Sequence, residues 1–124
     1  MAKRIKQRAL VGVLGKALTR RSRGRCELCG GREEPRPYEL TPYGDAPDPE
    51  RTLMGCTRCR HWLETGGVDP VEARFLSSAV WSEEPAVRLA AGRLLRMAEG
   101  QDDRWWVDAM EVVDVDPETG EIRA

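Results

Sequence analysis

Apolar residues recur along much of this 124-residue chain at intervals of three and four, the spacing that puts them on one face of a helix. Residues 3–21 read as the first such helix. Ile5, Leu10, Val13, Leu14, Ala17 and Leu18 form its stripe, while Lys3, Arg4, Lys6, Arg8, Lys16, Arg20 and Arg21 mostly fall outside it. Gly12 and Gly15 weaken its middle by about 1 kcal/mol each relative to alanine. From Gly31 to Gly55 the helical period is lost. Pro35, Pro37, Pro42, Pro47 and Pro49 break any helix there, and the runs Tyr38–Thr41 and Arg51–Met54 predict two paired strands around a polar loop from Pro42 to Glu50.

The helical period then returns. A helix starts near Arg58, carries His61, Trp62 and Leu63, and stops at Gly66-Gly67. Asp69-Pro70-Val71-Glu72 has the form of a capped helix start, and Ala73, Leu76, Ala79 and Val80 make the apolar side that follows. Ser82-Glu83-Glu84-Pro85 opens another, with carboxylates at the positive end of the helix dipole. Val87, Ala91, Leu94, Leu95 and Ala98 are its stripe, to about Glu99. Asp102-Asp103 caps a short helix from Arg104 to about Met110. Val112–Val115 and Ile122, joined through a Pro117–Gly120 turn, suggest a small hairpin or a loose tail. Trp62 and Trp81 are expected to anchor the core; Trp105 and Trp106, pointing about 100° apart on a helix, can both be buried only in a groove, and an exposed ring in that pair, for base stacking or a partner, is the lesser alternative.

The chemistry lies in four cysteines, the only ones in the chain: Cys26-Glu27-Leu28-Cys29 and Cys56-Thr57-Arg58-Cys59. Two pairs of identical spacing suit a tetrahedral zinc ion, with each tight turn presenting two thiolates at about 2.3 Å from the metal. Three alternatives stay open. Two disulfides require an oxidising compartment, and no apolar signal segment precedes the cysteines. A redox-active pair has no need of a second one. Four free buried thiols are the last. A four-thiolate zinc is coordinatively closed, so its expected role is structural, with no catalytic residue assigned. His61, the single histidine, is a weaker candidate for the fourth ligand than Cys59.

Charge changes the picture in one respect. The net charge is −1, yet residues 1–25 hold nine basic side chains and no acidic one. Arg20, Arg21, Arg23 and Arg25 run directly into the first cysteine pair, and Arg58 and Arg60 flank Cys59. These six are the candidate nucleic-acid contacts, for RNA or DNA backbone without sequence readout. The same arm suits an acidic protein surface, including a second copy of this chain or its own body. Arg58 and Arg60 also suit a structural task, offsetting the −2 charge of zinc with four thiolates. No apolar run is long enough to span a membrane, and a cytoplasmic location is the default expectation.

Cys26-Glu27-Leu28-Cys29-Gly30, Tyr38-Glu39-Leu40 and Cys56-Thr57-Arg58-Cys59 resemble the small PhnA-type zinc-binding proteins, as does Val80-Trp81-Ser82-Glu83-Glu84-Pro85-Ala86-Val87 with Arg93-Leu94-Leu95 after it. The resemblance runs from about Lys16 to Asp116 and implies a zinc module with a helical tail. It implies no phosphonate hydrolysis, because the family takes its name from a phosphonate-utilisation operon. The order of pair, hairpin and pair also resembles HNH endonucleases, but Tyr38-Glu39-Leu40-Thr41-Pro42 lacks their hairpin histidine. A degenerate relative that does not cleave is what that likeness implies.

The expected fold is a small zinc-stabilised α+β domain. It has a basic helical arm (1–25), a treble-clef or ribbon-like four-cysteine module (26–67), a helical region (68–111) and a short hairpin or tail (112–124). The expected function is a non-enzymatic zinc-binding adaptor on nucleic acid. A protein-interaction module or homodimer is the alternative, and an HNH-like or phosphonate-related hydrolase is the third reading.

Overall fold

The computed structural model describes residues 14–41, 48–98 and 103–123. Residues 14–22 are helical (α1), and the earlier part of the expected first helix lies outside the described residues. Strands β1 (Arg36–Glu39) and β2 (Thr52–Gly55) pair antiparallel, with Pro37 opposite Met54 and Tyr38 opposite Leu53. Next come α2 (Thr57–Thr65), a 3-10 turn (Glu72–Phe75) continuing into α3 (Leu76–Ala79), then α4 (Pro85–Met97) and α5 (Arg104–Val112). A second two-stranded sheet, β3 (Asp114–Val115) with β4 (Ile122–Arg123), ends the described chain. The result is a small α+β fold with two antiparallel sheets. No helix is long and apolar enough to cross a membrane among the described residues.

Helix α4 is the spine of the fold. Every residue of its expected stripe is buried, and so are Ala86, Leu89, Ala90 and Gly92, because α2, α3, α5, β2 and β4 all pack on it. Leu28, Leu40, Leu53, Cys59 and Trp62 from the cysteine-rich half share one buried cluster with Leu76, Val87, Leu94, Leu95 and Ala109. Gly92 explains how the last hairpin fits. A Cβ there would stand 2.5 Å from Ile122 Cγ2 and 3.1 Å from Val113 Cγ1, so only a bare α-carbon lets β4 lie against the helix.

Three expectations shift. The first hairpin is displaced by one or two residues, so Pro37 sits inside β1; a strand of a two-stranded sheet has an open outer edge, where a missing N–H breaks no ladder. The segment after Asp69 is a 3-10 turn plus one α-turn rather than a full helix, although Asp69 Oδ1 does accept from the Val71 and Glu72 N–H groups as a cap should. Trp81 is no core anchor: it lies on the turn between α3 and α4 and is 71% exposed. Neither Trp105 nor Trp106 is fully exposed. Both are half-buried against the core, and Trp106 Nε1 donates to the Leu95 carbonyl at 2.9 Å. The expected stop of α2 holds: Gly66 adopts φ 77° and its N–H returns to the Trp62 carbonyl.

Candidate metal centre

The chain turns twice to bring its cysteines together. After α1, Arg23 (φ 59°) and Gly24 (φ 72°) both take left-handed conformations, and the Gly24 N–H reaches back to the Thr19 carbonyl. The backbone thereby reverses into the first cysteine turn. Cys26 N–H donates to the Gly31 carbonyl and Gly30 N–H to the Cys26 carbonyl, closing a tight loop in which Gly30 takes φ 79°. The second pair is formed differently. Cys56 is the N-cap of α2 and Cys59 lies in its first turn, so both sulfurs stand at the positive end of a helix.

All four sulfurs lie within 4.8 Å of one another, and Cys29 Sγ is 3.7 Å from Cys56 Sγ. A tetrahedral ion with thiolates at about 2.3 Å sets its sulfurs about 3.8 Å apart. The donor set therefore fits one four-coordinate metal ion. Backbone N–H groups turn toward the sulfurs as a thiolate site requires: Gly31 N–H to Cys29 Sγ at 3.4 Å, Leu28 and Cys29 toward Cys26, and Cys59 toward Cys56. Cys26, Cys56 and Cys59 are buried and Cys29 half-buried, with no disulfide among them.

Crowding sets the protonation order. A hydrogen bond from Cys59 brings Cys26 down to about 4 against the opposing effect of burial. That same bond, then burial, pushes Cys59 up, and burial is the main cause of the raised Cys56 thiol. A divalent cation overrides this order, because it deprotonates every thiol that coordinates it. Metal uptake therefore releases protons and weakens as pH falls.

A brace of charged side chains holds the site from behind. Arg21 grips Glu27 with two bonds, Nε to Oε2 at 2.8 Å and Nη2 to Oε1 at 2.7 Å. Glu27 Oε1 also accepts the Met54 N–H at 2.8 Å, and the Glu27 N–H donates to the Met54 carbonyl. Arg21 reaches further, to the Thr52 carbonyl at 3.1 Å and to Glu84 Oε2 at 3.3 Å. One guanidinium thus ties α1, the first cysteine turn, β2 and the entry to α4. The bond to Glu27 raises its pKa despite partial burial. Nothing in residue spacing points to this brace, apart from a glutamate placed inside a cysteine pair.

The other candidate contacts separate into two groups. Arg58 lies over the Trp62 ring at 5.0 Å and the Phe75 ring at 5.4 Å, two rings stacked 4° from parallel. Burial opposes its charge, but Cys29, by hydrogen bond and by charge, together with Cys59 and Cys56, raises its pKa. Arg60 donates to the Gly55 carbonyl at 2.9 Å and the Glu34 carbonyl at 3.0 Å, fastening the start of α2 to the hairpin. Arg20, Arg23 and Arg25 are exposed. Arg20 borders a shallow hollow with Lys16, Pro35 and Pro37.

His61 is exposed on α2 and lies outside the sulfur cluster. His61→Ala is expected to leave the metal content per chain unchanged in elemental analysis. A clear loss of metal in that variant would make His61 a ligand.

Comparison with protein-family models, with curated proteins and with solved structures found no match.

Proposed function

We propose that this chain is a structural zinc protein, a non-enzymatic adaptor that contacts nucleic-acid backbone through its basic arm. The carrying observation is the sulfur geometry, four thiols within 4.8 Å of one another with helix-end and backbone N–H support. Four thiolates in two turns favour zinc over harder divalent ions. The sequence of cysteine turn, hairpin, and second pair opening a helix supports a treble-clef reading of the module. It also agrees with the PhnA-type resemblance, which rests on the residues quoted above. No position remains open on such an ion for water, so hydrolysis is not part of the proposal.

The nucleic-acid part rests on Arg20, Arg23 and Arg25, all exposed in the six residues that lead into the first cysteine turn, with Lys16 beside Arg20. Held cations lose less entropy on meeting phosphates. Arg21, Arg58 and Arg60 are occupied within the chain and contribute little. With about three phosphates neutralised, log K should fall against log salt with a slope near −2 to −3. Replacing Arg20, Arg23 and Arg25 by alanine together should remove most of that slope, equally for unrelated sequences, because phosphate contacts carry no base information. Absence of binding to any oligonucleotide at low salt would defeat this reading.

One observation favours the alternative, a protein-interaction module. Trp81 and Val71, 71% and 78% exposed, are large apolar side chains left to solvent. A homodimer through Trp81 would appear as a doubled mass by light scattering, lost in Trp81→Ser.

A further inference from the structure

Between the loop end of the first hairpin, the last turns of α4 and the C-terminal hairpin lies a hollow of about 570 Å³, within the size range of small-molecule sites. Arg51 enters it from the residue before β2, and Arg93 and Arg96 from α4, three residues apart. A cation near the C-terminal end of a helix, as Arg96 is, needs no special explanation. Arg51 and Arg93 do. Burial, and after it the charge of Arg51, lowers the Arg93 pKa, with only partial relief from Glu121 and Tyr38.

Among the described residues, no ion pair joins any of these three guanidiniums to a carboxylate. Each carries five N–H donors and makes one hydrogen bond to the described residues. Arg51 donates to the Thr41 carbonyl, Arg93 to the Thr41 hydroxyl, and Arg96 to the Gly120 carbonyl. Arg51 Nε is buried and has no partner among the described residues, an unfavourable condition unless something accepts from it. Among the described residues of the lining Glu121 is the one carboxylate, so these residues carry a surplus of two positive charges. Met97 and Ile122 give it an apolar wall.

We propose that this hollow binds a phosphate monoester, with the dianion among Arg51, Arg93 and Arg96 and the organic group against Met97 and Ile122. A dianion matches the surplus charge, and three guanidinium forks suit an anion with several oxygens better than a single carboxylate. The site stands apart from the nucleic-acid reading, which uses Arg20, Arg23 and Arg25.

The test is an NMR titration of the full chain, loaded with zinc, following the arginine Nε–Hε signals at constant ionic strength. Phenyl phosphate is the probe, and inorganic phosphate and a short oligonucleotide are separate arms. Saturable shifts at Arg51, Arg93 and Arg96, with a Kd of about 1 mM or tighter and with inorganic phosphate weaker, are expected. Arg93→Gln should weaken binding by about tenfold or more with unchanged metal content, and Arg51→Gln repeats the test should that variant misfold. Shifts that never saturate, shifts confined to Arg20, Arg23 and Arg25, or full affinity in a folded Arg93→Gln would overturn the proposal. Equal affinity for inorganic phosphate would overturn the monoester assignment, and tighter, competing capture of the oligonucleotide by the same arginines would reassign the hollow to nucleic acid.

Discussion

Cys29→Ser is expected to abolish metal binding and unfold the hairpin and α2. A structural zinc site contributes on the order of 10 kcal/mol, comparable with the whole stability of a domain this size. Losing one of four thiolates therefore exceeds what the remaining core can absorb. The damage should not stop at the cysteine turns, because Leu40, Leu53 and Trp62 share their buried cluster with Leu94 and Leu95 of α4. Far-UV circular dichroism should show residual helix without a cooperative melt, and elemental analysis should fall from one zinc per chain to almost none. Acidification should do the same to the wild type reversibly, since protons compete with the ion for the sulfurs. A Cys29→Ser protein that keeps one zinc and melts like the wild type would disprove the site.

Arg21→Ala is expected to cost about 3 kcal/mol, because it strands a buried carboxylate rather than simply removing an ion pair. Glu27 is 7% exposed at its side chain, and its remaining partner would be the Met54 N–H. In a domain of this length that loss lowers Tm by about 10 °C. Arg21→Lys should recover only part of it, because an ammonium cannot repeat the two-pronged grip on Glu27 while reaching Thr52 and Glu84. Denaturant unfolding with zinc present measures both. A change below about 0.5 kcal/mol in Arg21→Ala would mean that the brace is ornamental and that Arg21 is free for an external partner.

The cysteine cluster was legible in the sequence because its information is local: two identical spacings, each able to form its own turn. The same holds for α4, where the stripe from Val87 to Ala98 is continuous, and for the stop of α2 at Gly66. What could not be read depends on which elements meet. Arg21 looks like one more cation of a basic arm until the left-handed pair Arg23-Gly24 swings α1 over Glu27. Arg58 and Arg60 look equally suited to phosphates or to structure until the Trp62 and Phe75 rings and the Gly55 carbonyl are seen beneath them. Trp81 reads as a core anchor because size argues for burial, whereas the shortness of α3 leaves that residue on an outward turn. Gly92 has the opposite lesson: it reads as a weak point in a helix, and its value appears only once Ile122 lies across it.

The placement of the indole rings has a practical consequence for optical spectroscopy. Trp62, buried three residues after Cys59 and stacked on Phe75, sits in the cysteine-rich half of the molecule. Trp105 and Trp106 lie against the helical layer, and Trp81 already faces water. Excited by ultraviolet light, the four rings occupy three different polarities. Single-tryptophan versions would turn emission wavelength into a separate clock for each half, with Trp81 as the solvent baseline. Stopped-flow chelation followed at Trp62 and then at Trp106 would time how fast loss of the ion travels from the sulfurs to the far side of α4.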